Sequence, residues 1–80
     1  MSADPIAWAE EKAASWRKRA ASQFEVAQHH TERAVDAEQS FARELYCTMA
    51  ARVATEVERL EREAATLEAL VAMVRERADA

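Results

Sequence analysis

Glycine is absent from this 80-residue chain, proline and cysteine occur once each, and aromatic residues make up only 6%. Without a residue that lacks a Cβ, phosphate-cradling loops, nucleotide-binding fingerprints and hairpin turns that require positive φ are excluded. A sheet fold is excluded with them, because Ala, Glu, Arg, Leu and Lys supply 47 of the 80 residues. That share exceeds the half that marks coiled coils and long helices. The lone Cys47 has no second thiol for a disulfide or a structural zinc site, which argues for a reducing, cytoplasmic setting. No apolar run nears the roughly 18 to 20 residues that cross a bilayer, and Met1-Ser2-Ala3-Asp4-Pro5 lacks the positive start and apolar stretch of a signal peptide. A cytoplasmic protein with no membrane partner is therefore expected.

Charge of one sign is also lacking. The net charge is −4, and residues 1–40 carry five cations and seven anions while residues 41–80 carry six and eight. Neither half is a basic arm, so binding to nucleic acid is disfavoured by the field of the whole chain. Large apolar residues are scarce as well. Half of the chain is apolar, but 20 of those residues are Ala, leaving 20 that are larger. One core in so short a chain supplies about 3 to 5 kcal/mol. A homo-oligomer, a dimer in the simplest case, is the expectation.

What is present is a helical pattern. Ser2 or Asp4 can cap free amides, and Pro5 suits the first helical position, so residues 1–4 read as an N-terminal cap. Ile6, Ala9, Ala13, Trp16, Ala20, Phe24 and Ala27 then recur three or four apart, along one helical stripe. In the second half Val53, Val57, Leu60, Ala64, Leu67, Val71, Val74 and Ala78 alternate steps of four and three, a heptad seam whose small residues let helices approach closely. Phe41, Leu45 and Met49 extend that stripe upstream. Leu70 and Met73 widen it, favouring a bundle over a two-stranded seam.

Between the halves, Gln28-His29-His30-Thr31-Glu32-Arg33 is the most polar run, and a turn is predicted within residues 28–40. Asp36 with Gln39 has capping-box spacing, and Ser40 precedes the stripe that begins at Phe41; either can start a second helix. The competing geometry is one unbroken rod of roughly 110 Å. A hairpin is preferred, because a rod leaves Trp8, Trp16 and Phe24 with only a thin seam to fill.

The fold class expected is thus all-α. One domain spanning residues 1–80 forms a long helical hairpin of two or three helices, assembling as a homo-oligomeric coiled coil or four-helix bundle.

Several residues carry potential chemistry. Glu25, His29, Glu32 and Asp36 are spaced 4, 3, 4 along one helical face, and oxygen and nitrogen ligands on a bundle wall can hold a metal. No Glu sits three residues before either His, so the Glu-x-x-His unit of di-metal carboxylate bundles is missing, and a solvated polar face is the ordinary reading. No cofactor is implied. Cys47, beside Leu45, Tyr46 and Met49, reads as a small hydrophobe, not a nucleophile, and the chain is not expected to be an enzyme. Arg17, Lys18 and Arg19 form the one dense basic cluster, yet three consecutive residues point around a helix in different directions.

In size and central turn the chain resembles the small secreted hairpins of the WXG type. The likeness is one of shape. The Trp-x-Gly of that family has no counterpart here, Ser40-Phe41-Ala42-Arg43 stands where the turn could lie, and no Tyr-x-x-x-Asp/Glu signal occurs near the end.

The functional expectation is a non-catalytic protein–protein interaction module: an adaptor, inhibitor or assembly factor. Phe41, Leu45, Met49, Val53, Val57, Leu60, Leu67, Val71 and Val74 are the expected oligomer interface. Trp8, Trp16 and Phe24 are candidate anchors for a protein partner. A metal-binding bundle and a nucleic-acid-associated regulator acting through Arg17–Arg19 are the alternatives.

Overall fold

The computed structural model describes residues 4–79 and contains two helices, α1 over Pro5–Asp36 and α2 over Ser40–Asp79. They lie side by side as an extended helical hairpin, 61 Å long, 24 Å wide and 12 Å thick.

The start of α1 follows from its cap. Asp4 is extended, its carboxylate accepts a hydrogen bond from the Ile6 amide at 2.9 Å, and its carbonyl accepts from the Trp8 amide at 3.1 Å. Pro5 sits at the first helical position, where its missing N–H would have had no helical acceptor. Ser2, the other candidate cap, lies outside the described residues.

The turn falls at Ala37-Glu38-Gln39, inside the predicted interval. Asp36 ends α1, so it does not cap α2. The Gln39 carbonyl accepts from the Arg43 amide at 3.0 Å and opens the second helix. Ala37 leaves the helix in an extended conformation, φ −73° and ψ 125°, and no described residue has positive φ. A reversal that needs no left-handed residue is open to a chain without glycine. Arg43 then closes the turn from below, its Nη2 donating to the Ala37 carbonyl at 2.9 Å.

Packing is set by alanine. Ala13, Ala20, Ala27 and Ala34 recur every seven residues of α1 and are all buried, with Ala9 beside them. A seven-residue repeat keeps one flank of a helix against its neighbour, and methyl side chains let the backbones draw close. From α2, Val57, Leu60 and Ala64 fill the seam. Ala20, Val57 and Leu60 form the core cluster, with Trp16 and Val53 packed against it. The alanine ladder also sets the phase of α1. Half-buried Gln23 sits at the seam where the sequence pattern had placed Phe24, which is exposed. At the head of α2, half-buried Ala42 and Tyr46 face inward in place of Phe41 and Leu45.

Candidate interaction surface

Two helices side by side leave two broad faces. On the first, the helices are tied by ion pairs: Arg17 to Glu68 at 2.5 Å, and Arg75 to Glu10. The Arg17 guanidinium is bidentate, with its Nε donating to the second Glu68 oxygen at 2.9 Å. That pairing holds the Glu68 carboxyl below its ordinary value and raises Arg17. Towards the turn the same face carries a shallow hollow lined by Phe24, Gln28, Thr31, Ala51 and Ala54.

The second face is different in chemistry. At the open end of the hairpin, Pro5, Ile6, Leu67, Leu70, Val71 and Val74 line an apolar groove. It runs into a second hollow between Trp16, Arg62, Glu63, Thr66, Leu67 and Leu70. Leu67 and Leu70 belong to both, so the two form one continuous strip. Leu70 is 52% exposed and Val74 48%. Lys12 Nζ lies 5.7 Å from the Trp16 ring centroid, a cation–π contact on the rim. Further along, Arg59 bridges Glu56, at 2.5 Å, and Glu63, at 3.0 Å. The hydrogen bond from Arg59 lowers the Glu56 carboxyl, and both carboxylates raise Arg59.

The stripe expected to form an oligomer interface divides in two. Val57 and Leu60 are buried against α1 of the same chain, and Met49, Val53, Leu67 and Val71 are half-buried along that seam. These residues close the hairpin first, because α1 supplies the nearest apolar surface. Phe41, Leu45 and Val74 are left exposed. The aromatic anchors divide as well: Trp8 and Phe24 are exposed, at 59% and 53%, whereas Trp16 packs against the core cluster. Met73, read in the sequence as widening the α2 stripe, is exposed, and so are Val26 and Val35, which the sequence pattern assigned to no surface. The signal for the two valines lies in the alanine repeat: Val26 directly precedes Ala27 and Val35 directly follows Ala34, so each is turned about 100° away from a seam position.

The remaining candidates stay dispersed. Among the described residues no group of three or more His, Cys, Asp or Glu is gathered closely enough to hold a metal ion. Glu25, His29, Glu32 and Asp36 are strung along α1, where each helical step separates them. Arg17 engages Glu68, Arg19 acts electrostatically on Glu56 across the other face, and Lys18 lies between them in sequence, so the basic cluster is spread over the helix. Cys47 is an exposed free thiol. Near the turn the His30 ring stacks on Tyr46, centroids 6.4 Å apart, and its Nδ1 is buried without a hydrogen-bond partner. Among the described residues no helix is long and apolar enough to cross a membrane. Comparison with protein-family models, with curated proteins and with solved structures finds no match to this chain.

Proposed function

We propose that this chain is a non-catalytic interaction module of the adaptor, inhibitor or assembly-factor kind, which associates with itself and recognises a protein partner by helix–helix packing. One observation carries the reading. Nine large apolar side chains are exposed, while Val57 and Leu60 are the only buried ones larger than Ala among the described residues. Full burial of such a side chain is worth about 1.5 to 3 kcal/mol, so the surface left uncovered outweighs the core. A second helical layer recovers that free energy, and exposed apolar strips of this kind mark interaction surfaces.

Trp8 and Phe24 stand on this account as anchors for the partner, since large aromatic side chains supply much of the affinity in a small interface. Sedimentation equilibrium tests the self-association directly. A concentration-dependent mass above the 9.0 kDa of one chain is expected at micromolar concentration. A cooperatively folded monomer over the whole range would overturn it.

A further inference from the structure

We infer that the apolar strip of the second face is covered by the same strip of a second copy, with the two α2 helices antiparallel and Leu70 at the two-fold axis. This rests on the self-association argued above and specifies its surface and register. Glu63, Leu70 and Arg77 are seven residues apart and therefore share one flank of α2. Glu63 and Leu70 both line the strip. The flank is anionic seven residues before Leu70 and cationic seven residues after it. A two-fold axis through Leu70 places Glu63 of each copy level with Arg77 of the other, so the flank is complementary to itself only when antiparallel. Among the described residues Arg77 makes no ion pair within its own chain; the Glu63 carboxylate accepts from Arg59 at 3.0 Å through Oε1 alone, and its side chain is 43% exposed.

The apolar residues obey the same symmetry. Leu70 meets its own counterpart, and exposed Met73 comes level with Thr66 and Leu67 of the second copy. A face-to-face pairing of this kind is isologous and closes at two copies, giving a four-helix bundle. The area is adequate. The overlap, from about residue 61 to 79 of α2, is about 30 Å long. Across a face 24 Å wide it covers roughly 700 Å² in projection, close to the ~800 Å² per partner of a standard-size interface. On the opposite face Arg17 with Glu68 and Arg75 with Glu10 already join α1 to α2 within one chain, whereas on this flank Arg77 is left without an ion-pair partner among the described residues.

Charge reversal tests the register. Glu63→Arg and Arg77→Glu each place like charges together at both ends of the overlap, and each is expected to weaken dimerisation roughly tenfold or more in sedimentation equilibrium. The double variant Glu63→Arg/Arg77→Glu restores the pairing with signs exchanged and is expected to return the dissociation constant to within about threefold of the starting chain. In a Cys47→Ser background, Leu70→Cys is expected to give a covalent dimer with a short bismaleimide. A chain that dimerises but shows neither rescue nor crosslink overturns this register alone. A chain that stays monomeric throughout overturns the register together with the self-association on which it rests.

Discussion

Arg17 on α1 and Glu68 on α2, 51 residues apart in the chain, meet in a two-pronged hydrogen bond with N–O distances of 2.9 and 2.5 Å. The pair bridges the helices on the open-end side of their middle, and Glu10 with Arg75 bridges them nearer the end. Because Arg17 favours the ionised carboxylate, Glu68 titrates below its ordinary 4.5 in the folded chain, and Glu56 does so beside Arg59. A depressed carboxyl pKa contributes stability that is present above the unfolded value and is lost as pH falls through the folded one.

The hairpin should therefore hold its melting temperature from neutrality down to about pH 5 and lose it progressively below about 4.5, where these carboxylates take up protons. Circular dichroism melts across that range measure the effect. The double variant Glu56→Gln/Glu68→Gln should melt lower at pH 7 and show a shallower acid decline. An unchanged decline in that variant would assign the acid response to other groups.

The seam leaves opposite errors equally costly. Leu60 is 1% exposed and is the largest fully buried side chain, so Leu60→Ala removes most of the non-alanine core and is expected to cost about 2 to 5 kcal/mol. Ala64, 0% exposed, is fully buried in the seam between the helices. Ala64→Leu forces them apart, at an expected cost of about 1 to 3 kcal/mol, although it adds apolar surface. Urea titrations should place both below the starting chain. A more stable Ala64→Leu variant would show that the alanine ladder does not set the helix separation.

His30 tests the seam at the turn end. Its Nδ1 is buried with no hydrogen-bond partner while its ring stacks on Tyr46. An unsatisfied buried polar atom carries a desolvation penalty of about 1 to 3 kcal/mol, which an apolar side chain of similar size avoids. His30→Leu is accordingly expected to raise the unfolding free energy by roughly 1 kcal/mol after the stacking contact is lost, read as a higher denaturation midpoint. A lower midpoint would mean that the ring's contact with Tyr46 outweighs its unsatisfied nitrogen.

How far these features could be read in advance depended on the range of the interaction. Asp4 and Pro5 are legible because capping is local: the residue types and their order specify the geometry. The heptads from Val53 to Val71 are legible for the same reason, since periodicity along one helix does not require knowledge of the other. The turn could be bounded but not located, because no Gly or Pro marks it and the Arg43 contact that closes it comes from six residues away. Phe24 misled by its size. The repeat of Ala13, Ala20, Ala27 and Ala34 fixes which flank of α1 faces α2, and on that flank Gln23, not Phe24, comes inward. Of the apolar strip, Leu70 stands out in the sequence, where with Met73 it widens the stripe. Its other wall, Ile6 and Trp16, belongs to α1 and emerges only with the register between helices. The pairings of Arg17 with Glu68 and Glu10 with Arg75 are invisible for that reason too.

The two indoles report that register in solution. Trp8 is 59% exposed, whereas Trp16 packs against the cluster of Ala20, Val57 and Leu60 with Lys12 over its ring. The single-tryptophan variants Trp8→Phe and Trp16→Phe separate their fluorescence. The indole of Trp16, alone in the Trp8→Phe variant, should emit at shorter wavelength and resist acrylamide, because apolar neighbours exclude both water and quencher. The indole of Trp8, alone in the Trp16→Phe variant, should emit near the wavelength of the unfolded chain and be quenched readily. Dilution adds a second reading. Trp16 lines the strip assigned to the second copy, so its emission should move to longer wavelength as the dimer dissociates. A Trp16 emission that stays constant while the sedimentation mass falls would place the contact between copies on another face of the hairpin.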